Sequence, residues 1–183
     1  MLSVKKRQTY LKELGFYTGK IDGKEGNYTR AAYLALQKKY FKRAKDHDGK
    51  YGKDTDILLQ SAYNCRDLKY FKLEEFKCKC GGKYCTGYPA VVNRNLALML
   101  DNVLRPKYGS MTITSGLRCN TQNARAGGVS NSCHKTGKAV DFQCAKSRKG
   151  ASDRTEIINF CKKQFKYSYG NTSGMGASVH VNV

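Results

Sequence analysis

A turn motif that occurs twice in the first third of the chain sets the tightest limit on how that part can fold. Asp22-Gly23-Lys24-Glu25-Gly26-Asn27-Tyr28-Thr29 returns 26 residues on, from Asp22 to Asp48, as Asp48-Gly49-Lys50-Tyr51-Gly52-Lys53-Asp54-Thr55. Glycine in such a position lets the chain reverse where other residues are strained. Each copy hands over to apolar residues at helical spacing. Ala31, Ala32, Leu34, Ala35, Leu36 and Tyr40 follow the first turn, and Ile57, Leu58, Leu59 and Tyr63 follow the second. Asn27 and Asp54 are expected to cap these helices. An earlier helix is expected from Val4 to Leu14, with Tyr10, Leu11 and Leu14 on one side. Three short helices joined by Asp-Gly turns predict a small all-α bundle over residues 1–64.

The remainder reads differently. Residues 65–75 are charged and aromatic and read as a linker into a second domain, over 68–183. Asn93 to Arg105 carries helical periodicity, as does Asp153 to Phe165. Met111 to Thr114, Ala139 to Cys144 and Ser178 to Val183 alternate as strands do. Helices beside a small antiparallel sheet make this an α+β domain.

With 34 Lys+Arg against 14 Asp+Glu, the net charge of +20 draws the protein towards polyanions. Nucleic acid, an acidic membrane surface and the anionic polymers of a bacterial wall all qualify. No recognition-helix or zinc-knuckle pattern accompanies the charge, so nucleic acid is not the expected partner. No apolar run approaches the ~20 residues needed to cross a bilayer. Met1-Leu2-Ser3-Val4 leads straight into Lys5-Lys6-Arg7 without the apolar core of a signal peptide. The expectation is a soluble product made in the cytoplasm, a monomer without a membrane span.

Only three histidines occur in the sequence, and two of them flank an aspartate: His134, then Asp141 seven residues on, then His180 a further 39. Two imidazoles and a carboxylate can supply three ligands to one Zn²⁺ and leave the fourth position open for water, the catalytic arrangement. Gly137 permits the turn that brings His134 and Asp141 to one ion. Eight cysteines stand at 65, 78, 80, 85, 119, 133, 144 and 161. The cluster Cys78, Cys80, Cys85 leaves free thiols, disulfides and a second zinc site all open. Cys133, next to His134, is expected to point away from the site, as neighbours on an extended strand do.

Two stretches carry a family resemblance. Leu11, Leu14-Gly15-Phe16-Tyr17, Gly19, Ile21-Asp22-Gly23, Gly26, Thr29, Ala32 and Leu36-Gln37 resemble the peptidoglycan-binding domain of bacterial and phage wall hydrolases. Ser115-Gly116-Leu117-Arg118, Asn123, Gly127-Gly128, Asn131-Ser132, His134, Gly137, Ala139 and Asp141 resemble the zinc D-Ala-D-Ala carboxypeptidase family. That family includes phage endolysins that cut the L-Ala-D-Glu bond, and it shares a hedgehog-like fold. Phe71, Phe76, Cys78, Cys80-Gly81-Gly82, Gly174, Gly176 and His180-Val181 resemble its phage-type branch. The resemblance implies that His134, Asp141 and His180 bind Zn²⁺, that Arg118 meets a peptide carboxylate or polarised carbonyl, and that Ser132 orients the site. It further implies a phage endolysin, made in the host cytoplasm and acting on bacterial peptidoglycan after release, with an N-terminal wall-binding module.

One departure stands out. Relatives commonly keep an acid three residues before the second histidine or two after it, where this chain has Ala177 and Asn182. A general base is wanted to accept the proton of the attacking water, and Asp153 and Glu156 are the remaining candidates. L-Ala-D-Glu endopeptidase is the leading reading; D-Ala-D-Ala carboxypeptidase and an inactive wall-binding protein are the alternatives.

Overall fold

A computed structural model describes all 183 residues. The N-terminal third holds α1 (Val4–Glu13), α2 (Asn27–Tyr40) and α3 (Lys53–Asn64). The repeat seen in the sequence is also a repeat of hydrogen bonds. From α1, Gln8 Nε2 reaches Asp22 Oδ1 (2.8 Å), the Lys24 carbonyl (2.9 Å) and Thr29 Oγ1 (3.3 Å), while its Oε1 accepts from the Gly23 N–H (2.8 Å). From α2, Gln37 does the same to Asp48 Oδ1 (3.0 Å), the Lys50 carbonyl (3.1 Å), Thr55 Oγ1 (2.9 Å) and the Gly49 N–H (2.8 Å). Each turn is thus tied to the helix before it by one buried amide. Gly23 and Gly49 adopt φ of 75° and 66°, the left-handed region that favours glycine.

The expected caps are not where the sequence put them. Gly26 and Gly52 cap α2 and α3 with no side-chain bond, and Asn27 already lies inside the first turn. Thr29 and Thr55, whose hydroxyls meet the glutamines, replace the capping bonds as anchors. Residues 65–75 are no free linker: Cys65, Phe71 and Leu73 are buried. Asp101 accepts from the N–H groups of Lys69 (2.9 Å), Tyr70 (2.7 Å) and Phe71 (3.2 Å). Buried apolar residues of the three helices and of the rest form one continuous cluster.

The helix expected from Asn93 runs further, as α4 (Arg94–Met99), a π-helical turn over Leu100–Leu104 and α5 (Arg105–Tyr108). Asn93 caps it, accepting from the Leu96 N–H at 3.0 Å. β1 (Met111–Ser115), the short α6 (Asn120–Arg125), β2 (Ala139–Cys144), α7 (Ala145–Lys149), α8 (Ala151–Gln164), β3 (Tyr167–Gly170) and β4 (Val179–Asn182) follow. The strands form an antiparallel sheet in the order β1-β2-β4-β3. Val140, Phe142, Val179 and Val181 join Ile157 and Cys161 of α8 in the core. Because strand residues alternate between faces, Asp141 and His180 are left on the other face.

Candidate metal centre

Strand register assembles the site. Ser115 pairs with Asp141, Asp141 with His180, and His180 with Tyr169, so one row of side chains crosses all four strands. A bulge between Ile113 and Ser115 sets this row on β1. Without the extra residue Thr114 would face Asp141; with it Ser115 does, a common use of bulges beside functional sites.

His134 reaches the row from a 3₁₀ turn, Cys133–Thr136, which ends at Gly137 with φ 71°. A Cβ on Gly137 would lie 2.0 Å from the Val91 carbonyl oxygen, so close packing as well as backbone conformation fixes glycine there. The expectation for Gly137 holds. That for Cys133 rests on a strand that is absent: Cys133 begins the 3₁₀ turn, and its sulfur accepts from Asn182 Nδ2 at 3.5 Å.

His134, Asp141 and His180 are all buried, and their ligand atoms lie within 4.8 Å of one another. One carboxylate oxygen, Asp141 Oδ1, is 2.7 Å from His180 Nδ1 and 3.3 Å from His134 Nε2. The other, Oδ2, accepts from the Arg118 guanidinium at 2.5 Å. Arg118 is aimed in turn by Ser115 Oγ, which accepts from its Nε at 2.8 Å. Burial pushes the Asp141 carboxyl up, but the two imidazoles beside it outweigh that, and its pKa falls well below the ordinary carboxylate range.

The donor set fits a zinc ion. His134 Nδ1 is 2.7 Å from the Gly116 carbonyl, which can only accept, so Nδ1 carries the proton and Nε2 the lone pair. That Nε2 is fully buried and has no hydrogen-bond partner. A buried imidazole fixed in this tautomer by a backbone carbonyl is the usual second layer of a zinc ligand.

A cleft of about 440 Å³ opens on the site. Arg118, Asp141, Tyr169, Gly127-Gly128 and the segment 172–175 line it. Asp141 is the only acidic residue in that lining. Of the two candidate bases, Glu156 is exposed and paired with Lys146, and it lines a different cleft with Tyr108 and Phe160. Asp153 sits in the first turn of α8 and does not line the catalytic cleft either. Ser132 is buried at the start of the 3₁₀ turn; its backbone carbonyl accepts from the Lys135 N–H at 3.0 Å, and no bond joins its hydroxyl to the three ligands. Sequence reasoning missed Tyr169, whose ring lies against His180 at 4.5 Å between centroids. Burial raises its pKa, so the phenol stays a proton donor. The alternation in Tyr167-Ser168-Tyr169-Gly170 was the available signal. Sequence reasoning also left Cys119 out of the cysteine cluster, although it directly follows Arg118.

An imidazole and a carboxylate on a small antiparallel sheet, a second imidazole on the adjoining 3₁₀ turn and a cleft above them form a candidate centre of the metallopeptidase type. The family model for Peptidase M15 matches residues 69–182, well over half the chain, and the protein belongs to that family. Its members are typically zinc-dependent metallopeptidases. No curated protein matches the sequence.

Proposed function

We propose that the protein is a zinc-dependent peptidase of bacterial peptidoglycan, an endolysin that cuts the stem peptide at the L-Ala-D-Glu bond. The observation that carries the zinc chemistry is the buried, unpartnered His134 Nε2 beside Asp141 and His180. Membership of the Peptidase M15 family supports hydrolysis of a peptide bond. The wall as substrate is supported by the doubled Asp-Gly turn motif of residues 1–64, its resemblance to wall-binding domains, and the net charge of +20. Residues 1–64 then serve as the anchoring domain and 68–183 as the peptidase.

Zinc would be held by His134, Asp141 and His180, and would there supply a Lewis acid and lower the pKa of water to about 7. The chain's own groups do the rest. Gly116 holds the His134 ring, and Arg118 holds Oδ2 of Asp141, so the protein's own contacts orient both side chains. Arg118 also keeps a charged face on the cleft, suited to an acidic stem peptide. Tyr169, protonated beside His180, lines the same cleft and offers it a proton donor.

A second reading, a wall-binding protein without peptidase activity, is favoured by a cleft lined by no acid except Asp141. Purified walls separate the two. Solubilisation that a chelator abolishes and Zn²⁺ restores supports the peptidase, and binding without release supports the alternative. Mass spectrometry of the released peptides then distinguishes new N-terminal D-Glu from loss of one alanine, the mark of a D-Ala-D-Ala carboxypeptidase.

A further inference from the structure

A second group of ligands lies outside the His134 centre. The Sγ atoms of Cys78, Cys80, Cys85 and Cys119 all fall within 4.8 Å of one another. Two of the edges are 3.9 Å, from Cys78 to Cys119, and 3.5 Å, from Cys80 to Cys85. Four sulfurs at about 2.3 Å from a tetrahedral zinc stand about 3.8 Å apart. A disulfide brings its two sulfurs to about 2.05 Å and leaves the other pair out. The cluster has the dimensions of a tetrathiolate cage.

The backbone around it is arranged for thiolates. The N–H groups of Cys119 and Gly87 point at the sulfurs of Cys78 and Cys85, each at 3.4 Å. Such bonds stabilise sulfur that carries negative charge. Gly81 and Gly82, at φ 66° and 88°, let the chain fold back between Cys80 and Cys85. Lys77, Lys79 and Lys83 flank the cluster in sequence and offset the charge of four thiolates on one divalent ion.

We infer that Cys78, Cys80, Cys85 and Cys119 bind a second zinc ion, a closed structural site. Soft thiolates in tetrahedral array select zinc among common divalent ions, with iron the chief competitor. The site ties the loop of residues 77–88 to the segment that builds the catalytic centre. Cys119 follows Arg118 directly, and Leu117 donates to the Phe76 carbonyl at 2.7 Å, two residues before Cys78. On the same segment, Gly116 orients His134 and Arg118 grips Asp141. Fastening Leu117 and Cys119 holds those two contacts in place. The inference does not depend on which bond, or which polymer, the enzyme cuts.

The test is metal analysis of the full chain purified under reducing conditions. The expected result is one zinc equivalent per chain beyond that held at the His134 centre. The His180→Ala variant keeps the cysteine-bound ion while losing the other. Cobalt substituted into His180→Ala gives intense thiolate-to-metal charge-transfer absorption, which a His/Asp site lacks, and Cys80→Ser weakens it by removing one thiolate of four. A mercurial thiol reagent releases the zinc of His180→Ala as the cysteines react. If Cys80→Ser does not fold, the wild-type stoichiometry and the His180→Ala spectrum decide alone. No zinc in folded His180→Ala, iron in place of zinc, or an intact mass lowered by the hydrogens of two disulfides would each overturn the inference.

Discussion

Asp141 and His180 face each other directly across β2 and β4, and Asp141 Oδ1 meets His180 Nδ1 at 2.7 Å. The pair is created by register alone: a slip of one residue on either strand would turn one of them into the core. His134 Nε2 lies 3.3 Å from the same oxygen, so one carboxylate oxygen stands beside both imidazoles. Asp141→Asn keeps the shape but removes the negative charge that a divalent ion needs. The expected outcome is loss of zinc at this centre and of peptidase activity with the fold intact. Metal analysis beside circular dichroism checks it; retention of catalytic zinc by Asp141→Asn would contradict the assignment.

Arg118 acts first on the protein and only then on substrate, because its guanidinium already bonds Asp141 and Ser115. Loss of a residue that supports a ligand in this way typically costs about 10–100-fold in metal affinity or activity. Arg118→Ala is therefore expected to weaken zinc binding by about that factor, measured by competition with a chromogenic chelator. Arg118→Lys should recover part of it, since a lysine can reach Asp141 but cannot also bond Ser115 in the same fork. A rise in KM with unchanged zinc affinity would instead assign Arg118 to substrate alone.

The candidate ligands were legible in the sequence because their chemistry is rare in it: two of the three histidines fall in one cluster with Asp141. β2 and β4 were legible from alternation, and the Asp-Gly turns from their repetition. Other features depend on contacts that no local pattern records. Capping was misassigned because Gln8 and Gln37 reach the turns from the preceding helices, over 14 and 11 residues to Asp22 and Asp48. The π-helical turn at Leu100–Leu104 accompanies the burial of Asp101, whose partners lie 30 to 32 residues earlier, at 69–71. Cys119 is separated from Cys85 by the whole of α4 to β1, so the fourth member of its cluster appears only on folding.

Gly137 carries both a left-handed φ of 71° and a contact that admits no Cβ, the Val91 carbonyl at 2.0 Å. Its own carbonyl accepts from the Asn93 N–H at 3.0 Å, which binds the 3₁₀ turn to the start of α4. Gly137→Ala must strain the turn and displace residue 91. The conformational part alone costs about 1–3 kcal/mol, and His134 moves with the turn. Thermal unfolding should show the loss, and zinc affinity should fall with it. Gly127→Ala is the control: it shares a positive φ of 64° but meets nothing within 4 Å.

Gln8 and Gln37 each anchor one turn, and the two networks share no residue. Truncating either leaves a buried N–H and its partners unpaired, a loss of about 1–3 kcal/mol. Gln8→Ala and Gln37→Ala should each lower the denaturant midpoint. With separate partners their effects should add to within about 0.5 kcal/mol. Marked non-additivity would mean that the two turns form one cooperative unit.

Asp67 and Arg94 give the acid side of the stability profile. The guanidinium holds the carboxylate with both nitrogens, at 3.0 and 2.7 Å, and joins the segment after α3 to the first turn of α4. Those bonds lower the Asp67 pKa from 3.8 to about 2, against the opposing effect of burial. A folded pKa below the unfolded one means the unfolded chain takes up the proton first as pH falls. The pair's contribution is therefore present in full above pH 3.8 and disappears as pH drops towards about 2. The carboxylate is half exposed, so solvent screening keeps the contribution small and salt reduces it further. Asp67→Asn should lower the denaturant midpoint near neutral pH and flatten the profile between those two pH values. Equal acid slopes for Asp67→Asn and the wild type would show that the pair does not link the two segments in solution.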